Sequence, residues 1–211
     1  MQLVVKAGET ARRAFEAKPL PENVSVHWLE QGESIPPADA YFDLCFEDRG
    51  EAAFKDIAGS PVFVDAVNSV ASQLPANSIR INAGPGFLGN EKIEISAATD
   101  EVLQAGIAIL DALQWKYVQV PDTIGMVAPR VIAMIINEAY FALGEAISTK
   151  AEIDTAMKLG TNYPYGPFEW SEKIGLKKIH TLLQQLAAQS PRYTIAPLLE
   201  KEAQSTKPIN Q

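Results

Sequence analysis

Segments of strand length alternate with helices through residue 118, and from Pro129 onward only helical patterns remain. That change of rhythm admits few folds. The chain opens on LVVKAGETARRAF at 3–15, a short apolar strand, a tight turn and a helix. Strand patterns follow at 24–29 (VSVHWL), 40–46 (AYFDLCF), 61–67 (PVFVDAV), 78–83 (SIRINA) and 92–96 (KIEIS). GEAAFKDIA at 50–58 and DEVLQAGIAILDAL at 100–113 have helical spacing. Thr99 is the expected N-cap of the second, with Asp100 and Glu101 in its first turn. Such alternation implies an α/β domain, a largely parallel sheet with helices against it, over 1–118.

The remainder, 119–203, reads as an all-α domain. In PRVIAMIINEAYFAL, Ile132, Ile135, Ile136, Ala139 and Leu143 form one apolar stripe, and Val131, Met134 and Phe141 a second. A helix apolar on two sides wants two neighbours, one in its own domain and one in a second subunit. Thr149 and Glu152 form a capping box for a helix expected to stop at Gly160. The turn NYPYGPFEW follows at 162–170, then a last helix at 176–188 with Leu176, Ile179, Leu183 and Leu186 on one face. A loose tail is expected over 204–211.

Bulk properties exclude several classes. The net charge of −8 repels a polyanion, so no nucleic-acid partner is expected. The longest apolar run, VIAMII, is far short of the roughly 20 residues that cross a bilayer, so no membrane partner is expected either. The single cysteine, Cys45, fits a reducing cytoplasm, and the N-terminus does not read as a signal peptide. With only His27 and His180 beside it, no His/Cys zinc cluster, and no metal, is expected.

The opening turn is of the kind that binds dinucleotides through G-x-G-x-x-G, and Lys6, Gly8 and Ala11 fall on the three glycines. Gly8 permits close approach of a pyrophosphate, whereas Lys6 is poor in the tight-turn position and Glu9 opposes phosphate at the helix N-terminus. Glu30 stands about 20 residues on, where an acid holds the ribose hydroxyls.

From Val120 to Leu199 the chain resembles the C-terminal helical domain of the 3-hydroxyacyl-CoA dehydrogenases. The residues that carry the likeness are PDTIGMVAPRVIAMIINEAYFAL, AEIDTAMKLGTNYPYGPFEW and RYTIAPLL. The family's motifs there are D-x-P-G-F-x-x-N-R, N-E-A, D-x-A-M-x-x-G and Y-P-x-G-P-F-E. The NYPYGPFEW form and the RYTIAPLL end resemble the second, C-terminal repeat of longer bacterial members. The first half is similar at lower strength. ADAYFDLCFED resembles the family's A-D strand, which puts Asp43 and Glu47 near a cofactor. AVNSVAS resembles its S-N-T-S stretch, which puts Asn68 and Ser69 near cofactor and substrate.

The resemblance implies a reduced Rossmann-like domain followed by a helical domain that forms a homodimer and one wall of an acyl-CoA pocket. It assigns the pocket to Asn68, Arg130, Asn162, Tyr163, Pro164 and Phe168, and the cofactor NAD to Gly8, Glu30, Asp43 and Glu47. The family's base is a histidine in H-F-F-N-P. Here RINAGPGF takes its place, with the histidine position on or near Ala83 and Asn82 beside it. The nearest acid to the family's orienting glutamate is Glu94, and the N-R pair has become Pro129-Arg130. The catalytic candidates that remain are Asn82, Glu94 and Ser69. Between the second and third strands only QGESIPPA is present, too short for the helical pair that clamps coenzyme A in the family. The first reading is a relative that has lost its catalytic set and works as an acyl-CoA binder or as the partner of a full-length dehydrogenase. The alternatives are an active NAD-dependent dehydrogenase with unorthodox residues, and a purely structural dimeric module.

Overall fold

The computed structural model describes residues 1–205. Strand β1 (Gln2–Lys6) carries Leu3, Val4 and Val5, all fully buried, and it lies inside the sheet. Helix α1 (Glu9–Glu16) crosses to β2 (Ser25–Trp28), and the chain then returns to the other side of β1 as β3 (Ala40–Asp43). A short α2 (Phe46–Arg49) leads to β4 (Val62–Asp65), and a 3₁₀ turn, Ala71–Gln73, to β5 (Ser78–Ile81). Next come β6 (Lys92–Ala97), α3 (Asp100–Ala112) and β7 (Lys116–Gln119). The seven strands lie in the order β2-β1-β3-β4-β5-β6-β7. Strands β1 to β5 are parallel, β6 runs antiparallel to β5, and β7 is parallel to β6. The doubly apolar strands explain this: β3 and β4 are buried at every position, as strands covered on both faces must be.

One face packs Leu3, Val5, Phe42, Phe63, Ile79 and Ile95 against Phe15 of α1 and Leu110 of α3. Gly106 lets α3 come close, since a Cβ there would stand 2.6 Å from Cγ1 of Ile79. The other face, with Val4, Tyr41, Val62 and Val64, is covered from loops by Phe54, Ile57 and Leu74.

Helix α4 (Ala128–Gly144) begins a second unit, followed by α5 (Lys150–Thr161), α6 (Pro167–Ile174), α7 (Leu176–Ala187) and α8 (Pro197–Ser205). The core of α4 is Ala133, Ile136, Ala139 and Tyr140, with buried Asn137 among them. The Asn137 amide is satisfied by donating to the Thr194 carbonyl and accepting from the Ala196 N–H, each at 2.9 Å. Of the two expected stripes, Ile136 and Ala139 are buried, whereas Val131 is exposed.

Four expectations need correction. Residues 50–58 form no helix, because Gly50 adopts a left-handed conformation (φ 68°) and the Ala53 N–H is taken by the Asp43 carboxylate at 2.6 Å. The third strand ends at Asp43, so Cys45 lies past it and half-buried. Helix α5 runs through Gly160 to Thr161 and ends at Asn162 (φ 56°). The sheet unit extends past 118 to Met126, because Val120 N–H bonds to Ile95 O at 3.0 Å and Gly125 N–H to Val67 O at 2.9 Å. The tail expected over 204–211 lies, from 206, outside the described residues.

Candidate functional site

The strand order reverses at β1, whose neighbours β2 and β3 were reached in opposite directions. Ligands of such sheets bind at the carboxyl ends of the strands at that point. Here the carboxyl end of β1 turns through Ala7 and Gly8 into α1. Gly8 is extended (φ −76°, ψ 168°), and a Cβ on it would meet nothing within 4 Å. The protein does not need glycine there for itself, and the space above the turn is open. Beside it is a cleft of about 250 Å³ lined by Ala7, Glu9, Arg12, Trp28 and Glu30, among others. Arg12 lies 4.5 Å over the Trp28 ring, donates to Glu16 at 3.0 Å, and stands 3.9 Å from Glu30. The Glu9 carboxylate pairs with Arg13 along the helix, away from the turn. In shape the turn and the strand-end acid fit the adenosine half of a dinucleotide.

The ends of β3, β4 and β5 hold most of the remaining candidates. Asp43 is fully buried and accepts two hydrogen bonds from Arg49 Nη2, at 2.9 and 3.0 Å, besides those from Ala53 and Cys45 N–H. Burial pushes its carboxyl above the usual range against these donors. Its oxygens close the turn after β3. Glu47 and Asn68, expected at cofactor and substrate, are brought together: Glu47 accepts from the Asn68 main chain at 2.8 Å and from Nδ2 at 3.1 Å. Ser69 follows, half-buried on the same loop.

Arg80 pairs across the sheet with Ser96, and Ile81 with Ile95. Continued by one residue, that register sets Asn82 opposite Glu94. Asn82 is buried, and its Oδ1 accepts from Gly84 N–H at 3.3 Å. Neither histidine lies on β5 or β6: His27 sits on β2 with Nε2 2.9 Å from Glu33, and His180 sits on α7. Among the described residues no group of three His, Cys, Asp or Glu could hold a metal ion.

One residue on this end of the sheet escaped the sequence reading. Arg80 is fully buried, and each of its five donors has a partner. Nε donates to Ala66 O at 3.0 Å, Nη1 to Ser96 Oγ at 3.4 Å and to Asp122, and Nη2 to Thr123 O at 3.2 Å and Val67 O at 3.5 Å. Asp122 also accepts from Ala71 N–H at 3.0 Å. A lone arginine between two isoleucines reads as a solvent-facing position, and only its partner 42 positions away shows otherwise.

In the helical unit, Arg130 is half-buried, with its guanidinium 6.0 Å from the Tyr193 ring. Asn162 is the left-handed cap of α5, and Tyr163 and Pro164 are exposed. Phe168 is inside the helical core, its ring 5.0 Å from that of Tyr140. Tyr140 donates to Glu202 at 2.8 Å, and Lys150 reaches the same oxygen at 2.7 Å. Burial and the carboxylate raise the Tyr140 hydroxyl well above its usual value.

Residues 125–208 match the family described as 3-hydroxyacyl-CoA dehydrogenase, C-terminal domain. The chain is 36% identical to the 3-hydroxyadipyl-CoA dehydrogenase of Escherichia coli (strain K12) over 121 residues, 55% of this chain and 26% of that protein. It is 37% identical to the 3-hydroxybutyryl-CoA dehydrogenase of Clostridioides difficile over 86 residues, 40% of this chain and 31% of that protein. The chain thus spans between a quarter and a third of these relatives. Among solved structures, 3-hydroxybutyryl-CoA dehydrogenase from Escherichia coli K12 aligns with a TM-score of 0.57 and 33% identity, over 67% of this chain and 31% of that one. FadB2 of M. tuberculosis covers 97% of this chain and 93% of its own at a TM-score of 0.72, with 14% identity, and shows the fold alone.

Proposed function

Because this chain belongs to the 3-hydroxyacyl-CoA dehydrogenase family through the helical domain it carries at 125–208, we propose that it serves hydroxyacyl-CoA metabolism without hydride chemistry of its own. On this reading it binds an acyl-CoA or a related thioester and partners a full-length dehydrogenase through its helical unit, as it would a second copy of itself. It does so in the cytoplasm.

One observation carries the reading. Oxidising a 3-hydroxyacyl thioester requires a base for the hydroxyl proton as the hydride leaves. Antiparallel register continued one residue past Ile81–Ile95 brings Asn82 level with Glu94, where the reaction wants a base, and a neutral amide cannot take a proton near pH 7, where an imidazole can. NAD, the hydride acceptor of such a reaction, would be held by the Gly8 turn and by Glu30. Lys6 in place of the tight-turn glycine works against tight binding there.

The test combines turnover with binding. The purified chain is expected to leave NADH unoxidised in the presence of acetoacetyl-CoA. It is expected to be stabilised by acetoacetyl-CoA or CoA, by roughly 2.7 kcal/mol at a hundred times the dissociation constant. Measurable turnover that Glu94→Gln abolishes would replace this reading with that of an active dehydrogenase using Glu94 as base. No stabilisation by any thioester or nucleotide would leave a structural dimeric module.

A further inference from the structure

We infer that Arg80 is the positioning residue of the candidate site: it fastens the loop that carries Asn68 and Ser69 to the segment that ends the sheet unit, and makes the two one rigid body. A buried arginine is a costly way to fill a core. Exchanging a buried ion pair for apolar side chains of similar volume often leaves stability unchanged or raises it. What the guanidinium supplies instead is direction, with five donors in a fixed planar fork. None of those donors serves another core element except the one on Ser96. The other four go to Ala66 O, Val67 O, Thr123 O and the Asp122 carboxylate.

The fastening is completed by bonds that do not involve Arg80. Asp122 accepts from Ala71 N–H at 3.0 Å, and Gly125 N–H donates to Val67 O at 2.9 Å. Loop 66–71 is therefore held at both ends by segment 120–126, with Arg80 beneath the joint. Asn68 and Ser69 lie between those two anchor points, and Glu47 fixes Asn68 from a third side. Arg80 also stands two positions before Asn82 on the same strand, so the residue opposite Glu94 and the loop beside it share one support.

The prediction is specific to two amides. Ala71 N–H and Gly125 N–H report the joint from opposite sides, and their hydrogen exchange can be followed singly by NMR. In Arg80→Met both are expected to exchange at least about tenfold faster, together, while amides of β1 and β3 keep their protection. Arg80→Lys, which retains the charge without the fork, is expected to recover only part of it. Should Arg80→Met not fold, Arg80→Lys carries the test by itself, through a partial loss of protection at the same two amides. Unchanged protection at Ala71 and Gly125 in the folded variants would overturn the inference. So would a uniform loss across the sheet, which marks a plain core residue.

The ligand role rests on the function proposed above and has its own arm. Acetoacetyl-CoA should bind Arg80→Lys at least several-fold more weakly than the parent chain. If the parent chain does not bind acetoacetyl-CoA, the functional reading fails, and the exchange result still decides whether Arg80 joins the two segments.

Discussion

Replacing Gly166 by alanine should damage the helical unit through a single contact. Gly166 is the residue before α6, and its backbone (φ −75°, ψ 167°) suits any amino acid. Any cost therefore comes from what a Cβ would meet. It would stand 2.3 Å from Oδ1 of Asp154 and 2.4 Å from its Cβ and Cγ. Asp154 cannot easily step aside, because it is buried and accepts the Phe168 N–H at 2.8 Å and the Glu169 N–H at 3.2 Å. Those two donors are among the unsatisfied groups at the start of α6, and Asp154 is their cap. Overpacking costs about 1–3 kcal/mol and loss of a cap typically about 1 kcal/mol, so Gly166→Ala should destabilise by about 2–4 kcal/mol. Urea denaturation followed by far-ultraviolet circular dichroism measures it. The same substitution made in an Asp154→Gly background, which removes the Asp154 Cβ as well as its carboxylate, separates the contact from glycine's own properties. There the clash is gone, and the cost should fall to about 1 kcal/mol or less, leaving a coupling of at least about 1 kcal/mol. Gly160, inside α5 with open space around its Cβ, is the control, and Gly160→Ala should stabilise by about 0.5–1 kcal/mol. Equal costs for Gly166→Ala in the two backgrounds would refute the reasoning.

Three further outcomes follow from the structure. For Glu202, burial works to raise the carboxyl pKa, but the Lys150 ammonium and the Tyr140 hydroxyl outweigh it and hold it below the usual range. A carboxyl lowered in the folded state contributes stability above its unfolded value and loses it as pH falls through the folded one. The stability gap between the parent chain and Glu202→Gln, expected to be under about 1 kcal/mol for so exposed a pair, should narrow in a urea series as pH falls below the ordinary glutamate range. Burial pushes the Cys45 thiol up, so iodoacetamide should label it several-fold more slowly than free glutathione at pH 7.5, and fully once urea unfolds the chain. Leu183 is fully buried on α7, and Leu183→Ala should cost about 2–5 kcal/mol by calorimetry.

The sequence made the architecture legible because its strands carry their own signal. VFVD and AYFD are apolar on both faces, and buried parallel strands look like that. The helical unit was legible through its punctuation: the Thr149–Glu152 capping box forms as its spacing implied. Segment 50–58 misled because Ala53, Phe54 and Ile57 have helical spacing, although they cover the sheet from a loop. What spacing could not convey was the Asp43 carboxylate reaching forward ten positions to the Ala53 amide. At the candidate site, β5 and β6 pair as far as Ile81 and Ile95, and that register continued by one residue brings Asn82 level with Glu94, two residues the sequence had already singled out. The roles of Asp43 and Phe168 were not legible there. Each has the residue type of a site group, but one is enclosed by Arg49 and main-chain donors and the other by the ring of Tyr140. Arg80 was hidden for the opposite reason, since its meaning lies wholly in a distant partner.

The reversal of direction between β5 and β6 also bears on how the sheet is assembled. Pairs such as Ile81 with Ile95, and Ile93 with Tyr117, join residues close along the chain, whereas Leu3 must find Ala40. Closing short loops is entropically cheaper and faster, so the β1–β3 pair is the costliest closure in the sheet and the neighbouring pairs can form ahead of it. Synthesis delivers β1 to β4 before β5, β6 and α3 exist. Leu3, Val5, Phe42 and Phe63 must then wait without the strands and the helix that bury them, and this interval, rather than the finished protein, is when the chain is most exposed to aggregation.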